Sequence, residues 1–136
     1  MSNITQVVNE DKNMTTLKRS VIASGLDKVL SGTGPFTIFA PSDLAFEKLE
    51  KGVLDNLLKP ENKAKLVDVM NYHVVSGKIS FADLKDGQKL KTVSGKELRV
   101  HVKDGQVSIE GARIQGHDVP TSNGVIHSLD TVMLKN

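Results

Sequence analysis

The stretch Gly34-Pro35-Phe36-Thr37-Ile38-Phe39-Ala40-Pro41-Ser42-Asp43-Leu44-Ala45-Phe46 decides the fold. Phe36-Thr37-Ile38-Phe39 is β-prone, and Pro41, which lacks a backbone N–H, stops the run. Ser42 then stands where a helix needs an N-cap. Asp43 follows in the first turn, where a negative charge suits the helix dipole. The predicted helix carries Leu44, Phe46 and Leu49. A strand therefore runs directly into a capped helix, and Phe36, Ile38, Phe39 and Phe46 are expected to anchor one end of the core.

A second apolar run, Asn123-Gly124-Val125-Ile126-His127-Ser128-Leu129-Asp130-Thr131-Val132-Met133-Leu134, reads as strand packed behind a polar turn. Between the two lies Asn71-Tyr72-His73-Val74-Val75, of which Tyr72 to Val75 reads as a further strand. The pattern elsewhere divides the chain. Its first half is helical: Asn3 caps a short helix with Ile4, Val7 and Val8, and Leu17, Val21 and Ile22 share one face of a helix ending near Gly25. Leu26, Val29 and Leu30 follow as a short turn or helix. Val53, Leu54, Leu57 and Leu58 precede a helix start at Pro60-Glu61, which carries Leu66, Val69 and Met70. Ser80-Phe81-Ala82-Asp83 has the spacing of a capping box on a single turn.

From Leu90 the period becomes two. Leu98, Val100 and Val102 alternate with Glu97, Arg99, His101 and Lys103, and Asp104-Gly105 signals a type I′ hairpin before Val107 and Ile109. Ile114 marks another strand, with a turn expected over Pro120 to Gly124.

With 136 residues, the chain is long enough for one real hydrophobic core. Aromatic residues make up 4%, with no Trp and one Tyr, which argues against a base-stacking platform. The net charge is +2, and no run of like charge exceeds two residues. This mixed pattern predicts a solvated surface, with no nucleic-acid partner and no anionic-membrane patch. The absence of Cys excludes disulfides and thiolate metal sites. No basic n-region leads an apolar stretch at the start, so no signal peptide is expected in this sequence. No apolar run approaches the ~20 residues of a membrane span, so direct membrane insertion is not expected.

Catalytic patterns are sparse. Gly32-Thr33-Gly34 leads into Pro35 with no Gly-Lys-Ser/Thr after it, which argues against a phosphate-binding loop. His73, His101, His117 and His127 lack metal-ligand spacing. Ser128 and His127 are neighbours on a strand and point to opposite faces, so they do not form a nucleophile–base pair. No catalytic residue, metal site or cofactor is expected.

Thr37 to Phe46, Leu57-Leu58-Lys59-Pro60-Glu61-Asn62-Lys63, Tyr72-His73-Val74-Val75-Ser76-Gly77-Lys78 and Asn123-Gly124-Val125-Ile126-His127, in that order, resemble the motifs of the fasciclin-like (FAS1) domain family, of single-domain bacterial type. The resemblance spans about Ile4 to Leu134. It implies a β-rich α+β fold: a wedge of two β-sheets, a β-sandwich, with several short helices mostly in the N-terminal half. Residues 1–136 are expected to form a single domain. Phe39, Ser42, Asp43, Phe46, Asn123, Gly124 and His127 would be its structural motif residues.

The resemblance also implies a non-enzymatic adhesion or binding module, extracellular, periplasmic or on the cell surface. It would be a monomer contacting a cell-surface or matrix protein or polysaccharide. Tyr72-His73 and Asp118-Val119 match the family's two partner-binding motifs. On the residues alone, His73 suits a core role, bonded near Ser42 or Asp43, and Asp118 suits a turn. The alternative is a small-ligand-binding or hydrolytic protein with a pocket near His73 and His127.

Overall fold

The structure, a computed structural model, describes residues 3–12, 14–30, 32, 34–49 and 52–132, with the side chains of Val29, His117 and Asp118 outside the described set. Helices lead: α1 (Ile4–Glu10), α2 (Thr15–Ser24) and α3 (Leu26–Leu30) precede β1 (Phe36–Pro41). α4 (Asp43–Glu47), α5 (Val53–Leu57) and α6 (Lys63–Asn71) follow, then β2 (Val74–Ser76), β3 (Lys89–Lys91), β4 (Glu97–Lys103), β5 (Gln106–Ile109), β6 (Ala112–Thr121) and β7 (Gly124–Leu129).

Local chemistry sets these boundaries. Asn3 closes a capping box with Gln6 at the start of α1, and the Ser42 hydroxyl accepts from the Ala45 N–H to start α4. Ser80 and Asp83 form the other capping box, on a single 3-10 turn from Phe81 to Asp83. Asp104 and Gly105 both take positive φ, 53° and 78°, as the tight hairpin between β4 and β5 requires.

The strands form one seven-stranded sheet in the order β2-β1-β7-β6-β5-β4-β3. An isolated bridge between Val75 and Thr92 brings the β2 end against the β3 end. The layers are thus parts of one curled sheet that nearly closes into a barrel, and the expected pair of separate sandwich sheets gives way to this continuous order. The two opening motifs meet at its centre: β1 and β7 run parallel, with Phe36 opposite Gly124, Phe39 opposite His127 and Pro41 opposite Leu129.

Both faces of β1 and β7 are covered, so their burial is nearly continuous rather than alternating. One face meets the helices, where Ile38, Ala40 and Ile126 pack with Leu17, Leu30, Phe46 and Leu66. The other meets β3 to β6, where Phe39 and Leu129 pack with Leu98, Val100, Ile109 and Ile114. The expected single aromatic anchor is therefore split. Phe46 and Ile38 serve the helical core and Phe39 the strand core, because adjacent strand residues face opposite ways.

Two boundaries differ from the sequence reading. Tyr72 caps α6 and β2 begins at Val74, so Tyr72 and His73 form a turn rather than strand. β6 continues through Pro120, which pairs with Val125 and confines the turn to Ser122 and Asn123. β5 pairs only with Ala112 and Arg113, so β6 has a free edge beyond them, and a proline without an N–H is accommodated there. The expected strand end at Met133 and Leu134 lies outside the described residues.

Candidate functional site

Asn123 ties three segments together. Its side-chain oxygen accepts from the Ile4 N–H at 3.0 Å, and its amide donates to the Leu30 and Gly32 carbonyls at 2.5 and 2.9 Å. Its own carbonyl accepts from the Phe36 N–H at 2.8 Å. Next to it, a Cβ on Gly124 would overlap the Phe36 backbone, and one on Gly34, at φ +65°, would overlap the Asn123 carbonyl. Only glycine allows β1 and β7 to approach this closely.

The Tyr-His motif is internal. Tyr72 is 8% exposed and His73 1%, and their rings meet edge to face at 6.4 Å. The Nδ1–H of His73 donates to the Val69 carbonyl at 2.7 Å, one helical turn back. α6 continues to Asn71, so His73 lies just past its last turn and within reach of that carbonyl. Burial pushes the His73 pKa down to about 4, against a smaller opposing effect of the Val69 bond. The ring is neutral at pH 7. Burial raises the Tyr72 phenol, and the nearby charge of Glu110 adds to it.

His127 is fully buried. Its Nε2–H donates to the Ile79 carbonyl at 2.8 Å, and its ring stacks on Phe39 at 5.6 Å. His73 and His127 thus each hold a backbone carbonyl, and the surface depressions described below are lined by other residues.

Asp43 does more than its own helix requires. Its carboxylate accepts from the Thr16 N–H and the Thr15 hydroxyl, both at 2.8 Å, and so caps α2, whose own N-cap Met14 has no side-chain bond. Partial burial works to raise the Asp43 pKa, but these hydrogen bonds outweigh it and hold the carboxyl below its ordinary value.

The exposed surface lies elsewhere. β6 slips register against β7 twice, between Ile114 and Gly116 and between Gly116 and Val119. Such bulges re-aim side chains at a strand's rim. Val119 emerges 41% exposed. The backbone of Asp118 lies in β6, but its side chain, with the contact expected of it, is outside the described set. By the first slip, a depression of about 300 Å³ is lined by Met14, Gln115 and Ser128 and by Leu44, which is 65% exposed.

A larger groove, of about 490 Å³, lies over β4, β5 and β6, with His101, Lys103, Ser108 and Arg113 among its lining residues. In the sequence these residues form no run of like charge. A strand exposes alternate residues, so a basic face shows as every second residue and never as a run.

Comparison with known proteins agrees with this architecture. The fasciclin domain matches residues 12–135. The chain is 44% identical to Protein sll1483 of Synechocystis over 131 residues, covering 96% of this chain and 72% of that protein. It is 34% identical to the transforming growth factor-beta-induced protein ig-h3 of Sus scrofa, covering 98% of this chain and 19% of that longer protein. The FAS1 domain pair of the insect cell adhesion molecule Fasciclin I superposes with a TM-score of 0.88 at 20% identity, over 98% of this chain and 51% of that one. By sequence match and by fold, the chain belongs to the fasciclin (FAS1) domain family.

Proposed function

We propose that this chain is a single-domain, monomeric, non-enzymatic binding module that works outside the cytoplasm. It contacts a cell-surface or matrix protein or polysaccharide through the bulged part of β6. The observation that carries this reading is the contrast between the buried Tyr72 and the buried, bonded His73 and His127 on one side and the apolar side chains left in solvent at Leu44 and Val119 on the other. Exposed apolar groups suit reversible contact. Kinship with an adhesion molecule of the same fold supports the reading, as does the family's second partner-binding motif, which falls on Asp118-Val119. Among the described residues, no helix is long and apolar enough to cross a membrane.

The test is retention of protein-coated beads on intact cells and on matrix-coated surfaces. The Leu44→Ser/Val119→Ser double variant should lose most of the retention with its unfolding midpoint unchanged. Retention equal to the unmodified protein would overturn the assigned contact surface.

A further inference from the structure

We propose that the groove over β4, β5 and β6 binds an acidic polysaccharide, seating its carboxylate or sulfate groups between Lys103 and Arg113. These residues are not shared with the proposed contact at Leu44 and Val119. His101, Ser108 and Arg113 stand directly opposite one another across three strands, and Lys103 pairs with Gln106 beside them. Each step across the sheet is about 5 Å between Cβ atoms, so the row presents closely spaced donors to one ligand chain.

The cations here are unspent. Among the described residues neither Lys103 nor Arg113 forms a side-chain ion pair; the ion pair found there joins Lys48 to Asp130 at 3.7 Å. The acids near the groove are largely committed. Asp130 takes that lysine and accepts from the Arg113 N–H at 2.9 Å and the Thr131 hydroxyl at 3.1 Å. Glu110 accepts from the Arg99 N–H at 2.8 Å. Lys103 and Arg113 face Asp104 and Asp130 on the groove's lining, and Lys48, paired to Asp130, adds a third cation beside it. The basic face also continues past the groove. Arg99 lies directly opposite Lys89 on β3, and like charges so placed repel unless an anion sits between them. One small ion cannot serve both places, but an extended polyanion can.

The lining distinguishes among polyanions. Apart from His101 it offers no ring on which a nucleobase or a neutral sugar face would stack. Hydroxyl and amide groups at Ser108 and Gln106 sit among the cations, and a sugar has hydroxyls to meet them. Arg113 supplies the planar fork that fits a carboxylate or sulfate. A concave groove also fits a chain better than it fits a flat lipid surface.

Binding of the full chain to polygalacturonate, dextran sulfate and neutral dextran tests the proposal. The acidic polymers should bind, more weakly as salt rises, and dextran should not. The Lys103→Gln/Arg113→Gln variant should bind roughly tenfold more weakly, the loss of two exposed charge contacts. A Lys63→Gln/Lys65→Gln control on α6 should bind as the unmodified chain does. Equal losses in the two variants, undiminished binding by the first, or tighter binding to duplex DNA or phosphatidylglycerol vesicles would each overturn the proposal. So would failure to bind either acidic polymer, an outcome that leaves the bead-retention result at Leu44 and Val119 standing on its own.

Discussion

The β1–β7 pair and the β4–β6 face are both β-structure, yet they use their residues in opposite ways. β1 and β7 are parallel, central and covered on both sides, so nearly every residue is spent on packing or backbone bonds. β4 is covered on one side only, and alternate residues remain in water. The segments that mark the family therefore lie where a partner has little access. On β4, and at Arg113 of β6, the outward side chains stay in solvent.

The sharpest way to break the central pair is Gly124→Ala. The added Cβ would overlap the Phe36 backbone, which cannot yield without parting β1 from β7. The expected outcome is loss of more than about 4 kcal/mol of stability, or no folded protein at all, read by urea denaturation. A variant with the unmodified midpoint would mean that the approach of the two strands is not a tight constraint.

His73 gives the next largest effect, through pH. Its folded pKa is lowered to about 4 from an ordinary 6.5, so protons bind the unfolded chain first. The contribution of the neutral ring is complete above pH 6.5 and fades as pH falls toward 4. The whole interval is worth about 3 kcal/mol. His73→Phe removes this dependence. The stability difference between the unmodified protein and this variant should shift by about that amount between pH 7 and pH 4, to the disadvantage of the unmodified protein. A constant difference across that range would show that His73 is not the buried titrating group.

Much of the inner region was legible in the sequence. Ser42 and Asn3 announce their helices by local chemistry, and Asp104-Gly105 its hairpin. What stayed hidden depends on distance along the chain. Asp43 reads as a first-turn acid of α4, but its strongest bonds go to Thr15 and Thr16, which reach it only after folding. The Val69 partner of His73 required knowing that Tyr72 and His73 leave α6 as a turn rather than as strand, which keeps the His73 ring over the end of the helix. Pro120 reads as a turn residue because its free strand edge is a fact of topology, not of neighbours. The basic groove was hidden differently, since its residues are visible in the sequence but belong to three strands.

The smallest expected stability effect is the one that separates the two regions. Lys103 and Arg113 are exposed and make no side-chain ion pair among the described residues, so replacing both by Gln removes no buried area and strands no polar partner. The unfolding free energy should stay within about 0.5 kcal/mol of the unmodified value. A modest gain is consistent with relief of like charge along the Lys89, Arg99 and Lys103 side of the sheet. A loss of several kcal/mol would instead place these side chains in the folding machinery with Gly124 and His73. The outer face would then lose its claim to be free surface. Near-neutral stability together with weakened polyanion binding requires that the two cations serve a ligand rather than the fold, since among the described residues neither forms a side-chain ion pair.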